Sequence, residues 1–243
     1  MKKLLLFLSL PTVTASIFAP HFLKAGESKF YVTGSGGVGF LNEAKSKKQH
    51  YPIEGETVSL GLELDLENKS TFDVGVGYDL GKTRIEFNVN QQNTAIERTS
   101  FDATLSGATA IVGVSSKGDA DATSYLITAN RDFPSEGGWT PYIGAGIGMT
   151  NVTTKDVNAE TGTLGDALNV NLGTTTLLKG DSATVFSYQL RSGIAKEITK
   201  NTDIFGEVSY TATEGWYAGS GETKIDWKSI SVIGTKIGFR YKF

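Results

Sequence analysis

The residues Ile237-Gly238-Phe239-Arg240-Tyr241-Lys242-Phe243 alternate strictly, with every odd position apolar or aromatic and every even position Gly, Arg or Lys. A period of two gives each set its own face of an extended strand. The alternation runs on to an aromatic, Phe243. An aromatic outer face and a cationic inner face suit a strand of a closed barrel, with lipid outside and a polar interior within.

The same period recurs along the chain. Phe30–Phe40, Phe72–Leu80, Ile85–Val89, Tyr125–Phe133, Pro141–Met149, Phe186–Ile198 and Ile204–Ala212 precede a closing segment, Ile230–Phe243. In the second segment Phe72, Val74, Val76, Tyr78 and Leu80 oppose Asp73, Gly75, Gly77 and Asp79. Gly81-Lys82-Thr83 then makes a hairpin with the third. In the closing segment the parity slips near Gly234, which predicts a bulge. Val58–Leu66 also alternates, with Leu at 60, 62, 64 and 66. It reads as the descending arm of the first loop, extending strand two above the membrane, or else as a ninth strand.

Short connections at 81–83, 134–140 and 199–203 alternate with long loops at 41–69, 92–123, 150–185 and 213–229. Short turns on one side and long loops on the other is the asymmetry of outer-membrane barrels. Aromatics gather at two levels. Phe30, Tyr78, Phe133, Trp139, Tyr142, Phe205, Tyr241 and Phe243 lie toward the short turns, and Phe40, Phe72, Tyr125, Phe186, Trp216 and Trp227 toward the long loops. Two such levels predict interfacial girdles.

The chain opens Met1-Lys2-Lys3 before Leu4-Leu5-Leu6-Phe7-Leu8, then runs through small and apolar residues to Ala25. A charged start and a short apolar run form the pattern of a signal peptide, expected at 1–25 with cleavage near Ala25. The barrel domain is expected at 26–243. Cleavage there takes Lys2, Lys3 and Lys24 from the 23 basic residues and none of the 26 acidic ones, lowering the net charge from −3 to −6. Nucleic acid is therefore not an expected partner. With no Cys in the chain, disulfides, thiolate metal sites and Cys nucleophiles are excluded.

Several of these segments resemble a known family. Asn130-Arg131-Asp132-Phe133 followed by Pro141-Tyr142-Ile143-Gly144-Ala145-Gly146-Ile147-Gly148 resembles the strand-four to strand-five signature of opacity-protein-like outer-membrane barrels. Gly77-Tyr78-Asp79 with Arg84-Ile85-Glu86 is similar to that family's second hairpin. The ending at Phe239, Tyr241 and Phe243 is similar to the signal read by the barrel-assembly machinery. The resemblance covers the strands of about 29–243 and none of the long loops. It implies an all-β, eight-stranded antiparallel up-and-down transmembrane barrel, related to the OmpA-type membrane domain, in the outer membrane of a Gram-negative bacterium after Sec export. The expected role is structural and surface-interacting, adhesin- or antigen-like: a monomer that meets outer-membrane lipid and lipopolysaccharide, the assembly machinery during insertion, and an unidentified extracellular ligand through its loops.

The predicted inward face carries Asp73, Asp79, Arg84, Glu86, Asp132, Arg191, Glu207, Lys236, Arg240 and Lys242. An eight-stranded interior is just wide enough for side chains to fill. Charges held there need partners. A network centred on Glu86 and Glu207 with Arg84, Arg191 and Arg240, joined by Asp73 and Lys236, would plug the lumen. The alternative is a small porin-like channel. Catalysis is not expected: of two His, His21 leaves with the signal peptide and His50 lies beside Lys47-Lys48 without a recognisable Ser partner. Asp119 and Asp121 lack the spacing of a calcium loop, and Gly144, Gly146 and Gly148 suit a crowded lumen better than a phosphate loop. No metal or cofactor is expected.

Overall fold

The computed structural model describes residues 29–41, 43–53, 56–105, 108–159, 175–218 and 225–243; the expected signal peptide at 1–25 lies outside them. Among the described residues, eight strands close a ring. They are β1 (Phe30–Phe40), β2 (Glu56–Asp79), β3 (Thr83–Leu105), β4 (Ala108–Asp132), β5 (Trp139–Thr154), β6 (Asp181–Thr199), β7 (Thr202–Thr213) and β8 (Ser231–Lys242). Each pairs antiparallel with the next. The seam is β8 on β1, from Tyr31 opposite Lys242 to Phe40 opposite Ile233. Closure leaves no edge within the ring, as lipid requires.

The outer wall is the apolar parity of each strand. Val74, Val76, Ile127, Ile143, Ile147, Leu190, Val208 and Ile237 are all exposed, Ile237 at 76%. In water so much exposed aliphatic surface would be prohibitive, whereas in a bilayer it is the solvent contact. Phe30 packs edge-on against Tyr78 at 4.9 Å, and Tyr241 against Phe243 at 5.4 Å, beside the short turns. At the first turn Gly81 takes φ of 99°, and its N–H donates to Asp79 Oδ1 at 2.6 Å.

Four aromatics assigned to the girdles belong elsewhere. Tyr142 and Phe205 are buried because their parity points inward. Trp216 and Trp227 stack at 6.2 Å in a two-stranded hairpin, Trp216–Ala218 with Ile225–Trp227, and are also buried. Height along a strand placed these four at the membrane borders; the facing of their side chains removes them.

The long loops are largely strand. A bilayer crossing needs about 9–11 residues of tilted strand, yet β2, β3 and β4 run to 24, 23 and 25 residues. The stretch 92–123, read as a loop, is the outer half of the β3–β4 hairpin, and Val58–Leu66 is the outer half of β2 rather than a ninth strand. Glu43–Lys45 and Gln49–Ile53 pair along β2. The third loop contributes Val157–Ala159 and Thr175–Leu178, and 160–174 lies outside the described residues.

The outer halves of β2–β4 form a paddle in which β2 and β3 exchange their faces relative to the barrel, whereas β4 keeps its even residues inward, as at Ser116 and Ser124. The register shifts between Asp65 and Leu66, between Asn68 and Thr71, and between Ile96 and Arg98. One extra residue exchanges the faces of a strand. Below the shifts the odd residues Thr71 and Asp73 of β2 are buried and the even Phe72 and Val74 face out. Above them the even Leu62 and Leu64 are buried instead. The switch tracks the solvent: lipid wants apolar residues outside, and water above the membrane wants them inside. β8 reverses differently. It carries no register shift, so the bulge expected near Gly234 is absent. Its parity slips because Ile230 and Val232 turn toward the interior above the membrane.

Candidate functional site

The interior is stratified. At the short-turn end lie charges, and the seven expected to form a network, Asp73, Arg84, Glu86, Arg191, Glu207, Lys236 and Arg240, are all buried. Alternation on β2, β3, β6, β7 and β8 aims each of them inward. Arg191 reaches furthest across the lumen. Its Nη2 donates to Glu86 Oε1 at 2.9 Å and to Thr128 Oγ1 at 2.7 Å, its Nε to Asn130 Oδ1 at 2.6 Å, and its Nη1 lies 3.7 Å from Glu207. Lys236 bridges Asp73 at 3.4 Å and Glu207 at 3.5 Å. Arg84 forks onto Asp132 at 2.7 and 2.9 Å and lies 3.8 Å from Glu86.

Arg240 departs from the expectation. It pairs neither with Glu86 nor with Glu207 but with Asp203, at 3.2 Å, and Lys242 donates to the other oxygen of Asp203 at 2.9 Å. The sequence pattern puts Asp203 in a turn; β7 begins one residue earlier, at Thr202, and buries it. Asp79 also departs: it holds the turn at Gly81 and stands apart from the network. Among the described residues five buried acids (Asp73, Glu86, Asp132, Asp203, Glu207) meet four buried bases (Arg84, Arg191, Lys236, Arg240) and the half-buried Lys242, which also lies 3.8 Å from the exposed Glu197.

Neutral side chains that composition did not flag complete the layer. Asn88 donates to Asp73 at 3.1 Å and to Glu86 at 2.5 Å, and Tyr142 donates its hydroxyl to Glu207 at 3.0 Å. The Tyr31 ring lies between two guanidinium groups, 5.7 Å from Arg84 and 5.4 Å from Arg240. Such stacking is favourable when desolvated. Gly193 makes room: a Cβ there would come within 2.5 Å of the Tyr142 ring. Parity could have found Tyr31 and Tyr142, since both share the inward set of their strands. Between these side chains the free space is about 10 Å³, at the lower limit of what a single water requires.

Above the charges is a layer of amides and hydroxyls. Ser124 and Thr150 share a hydrogen bond at 2.8 Å, Gln189 donates to Thr211 at 2.9 Å, and Asn90 donates to Thr71 at 3.0 Å. Above it is an apolar roof of Ala44, Leu62, Leu64, Ile96, Val157, Val185, Trp216 and Trp227. The roof is the packed inner face of the paddle meeting the Trp hairpin.

Other candidates lie outside the lumen. His50 has a Ser partner that sequence reading missed: Ser59, opposite it across the strand pair, with 2.7 Å from Nδ1 to Oγ. Among the described residues no carboxylate is hydrogen-bonded to the imidazole. Lys47 and Lys48 pair with Asp226 at 3.0 Å and Asp102 at 2.7 Å. Asp119 lies within β4, not in a loop, and meets Lys155 at 3.3 Å. Phe239, Tyr241 and Phe243 are exposed on the outer wall of the seam.

Several solved structures align with the chain at low identity. Neisserial surface protein A aligns at 15% identity over 89% of this chain and 98% of its own, with a TM-score of 0.48. The outer membrane protein OprG of Pseudomonas aeruginosa aligns at 9% identity over 89% and 97%, with a TM-score of 0.42. The attachment invasion locus protein Ail of Yersinia pestis, solved with the heparin analogue sucrose octasulfate, aligns at 13% identity over 88% and 99%, with a TM-score of 0.36. No curated protein matches the sequence. The family model for the outer membrane protein β-barrel domain matches residues 5–243, and the chain belongs to that family of the Gram-negative outer membrane.

Proposed function

We propose that the protein is a plugged barrel that displays a surface paddle: a non-conducting, non-enzymatic anchor whose outer β2–β4 sheet and loops bind an extracellular ligand. The observation that carries this reading is the ion-paired charge layer, with only about 10 Å³ left between its side chains. A lumen filled to that density serves as a keystone for the ring, and the strand length beyond the bilayer is left for interaction. The barrel acts as a monomer without a cofactor or nucleic acid, meeting lipid and lipopolysaccharide along its apolar wall. Phe239, Tyr241 and Phe243 present the assembly machinery with an aromatic stripe during insertion.

Two measurements test this. In planar bilayers the purified protein is expected to show no steady conductance; large persistent openings would replace the plug with a small porin-like channel. In the second, proteoliposomes carrying the whole protein are compared on cell monolayers with a form trimmed at the bulges, 97–117 being replaced by Asn-Gly. The whole protein is expected to attach and the trimmed form to lose attachment. Equal attachment, or none by either, would overturn the display role.

A further inference from the structure

Between the hydroxyl layer and the apolar roof lies a cavity of about 90 Å³. Its upper wall is Leu41, Leu64, Ala120, Val152, Trp216 and Trp227, and its floor includes Gln92, Thr150 and Gln189, with Lys236 below. We propose that this cavity is a binding site for a small amphipathic molecule, with one aromatic ring or short alkyl body and a single hydroxyl or comparable polar head. This goes beyond the plug and the display role, which assign nothing to this cavity.

Three observations converge on that ligand class. The first is polarity. The two ends of the cavity differ, so a ligand that is apolar at one end and hydrogen-bonding at the other satisfies both, whereas water satisfies only the floor. The second is size. A water needs about 10–15 Å³ measured this way, so the space takes one ring and no extended lipid chain. The third is closure. The segment carrying Ala44 is clasped to the Trp hairpin by main-chain bonds, Lys47 N–H to Asp226 O at 2.6 Å and Lys228 N–H to Lys45 O at 2.9 Å. The Lys47–Asp226 ion pair adds a bond at 3.0 Å on the exposed surface. This clasp joins the connection after β1 to the connection after β7 across the mouth. Its parting would open the cavity to the outside, and it carries no covalent bond.

The experiment uses the full chain in phosphatidylcholine vesicles with Trp139→Phe. This leaves Trp216 and Trp227, both on the cavity wall, as the only fluorophores of their kind. The probe is 4-bromobenzyl alcohol, whose bromine quenches indole at contact. Saturable quenching is expected. Ala120→Phe, which fills the cavity, is expected to weaken it at least about tenfold, and the milder Val152→Leu does the same service should the first fail to fold. The chain has no Cys, so Lys47→Cys with Asp226→Cys makes a clean lock: quenching should slow on oxidation and recover with reductant. Quenching that rises linearly with probe, or that is unchanged in a folded filled variant, would overturn the site. Unchanged rates in the locked form would overturn the clasp as its door. None of these outcomes touches the conductance or attachment tests above.

Discussion

Arg191 is the point at which the lumen's charge layer can be dismantled by one substitution. Its guanidinium binds Glu86 at 2.9 Å and stands 3.7 Å from Glu207, with all three side chains buried. Taking charge centres about 4 Å apart and an effective dielectric near 20, the Arg191–Glu86 attraction is about 4 kcal/mol. Arg191→Met removes that attraction and leaves the five carboxylates facing four cations. The expected loss is about 3–5 kcal/mol, the cost of stranding one member of a buried pair. Glu86→Gln should cost a similar amount. The double variant removes both charges together, and the side-chain amide that Glu86→Gln introduces keeps an oxygen to accept the hydrogen bond of Asn88. It should recover to within about 1–2 kcal/mol of the parent, since a buried pair replaced as a unit is often nearly neutral. The assay is urea titration in phosphatidylcholine vesicles, following the mobility of unheated against heated samples on a detergent gel. A coupling of about 3 kcal/mol is the expected result. Additive losses in the double variant, or a cost under about 1 kcal/mol for Arg191→Met, would refute the claim that this pair carries the layer.

Other perturbations probe other elements. Deleting Phe243 should slow insertion while leaving an inserted barrel heat-modifiable, whereas Arg240→Ala should lower the urea midpoint of inserted protein by leaving Asp203 with Lys242 alone of its two cations; a pulse assay of assembly against an equilibrium titration separates the two. Gly193→Ala drives a methyl into the Tyr142 ring and should cost about 1–3 kcal/mol, read as the same urea midpoint. The Lys47 ammonium is held above its ordinary titration range by its hydrogen bond to Asp226. Because the folded value is the higher, the clasp is at full strength below the ordinary lysine value of 10.5 and weakens as pH rises past the folded one. Trp emission in the Trp139→Phe background should therefore stay constant through neutral pH and change only in strong alkali, and a change near neutrality would contradict the clasp. His50→Ala should leave folding and attachment unchanged, measured on the same gels and monolayers.

The ring itself was legible because lipid imposes one rule on every strand within it. Alternation fixed the facing of Phe72 to Leu80, Arg84 to Val89, Phe186 to Ile198, Ile204 to Ala212 and Ile230 to Phe243, and so named the buried charges at 73, 84, 86, 191, 207, 236 and 240. Legibility failed where the rule changes. Beyond the barrel the sheet continues with interspersed polar and apolar residues, Phe101, Leu105 and Ile111 among the exposed ones, so 92–123 had the composition of a loop and the geometry of a hairpin. Asp203 was missed because it lies in a strand that opens earlier than parity suggested. Tyr142, Phe205, Trp216 and Trp227 were placed by height alone, although the first two carried an inward parity in plain view. The pairing of Ser59 with His50 depends on the register between Gln49–Ile53 and β2, which no local pattern specifies.

The register shifts on β2 and β3 have a consequence for how this protein can change over time. They act as a reading-frame boundary for side chains: substitutions on either side answer to different solvents and need not compensate one another. A graft joined at Thr71 and Ile96 would carry its own inside and outside with it, so one scaffold could accept many paddles. Moving the junction on β2 by a single residue would instead send Leu62 and Leu64 into water and invert everything above. Drift in length should accordingly be tolerated beyond these positions in pairs and rejected within them singly. The barrel is thus separable from its display by the width of one amino acid.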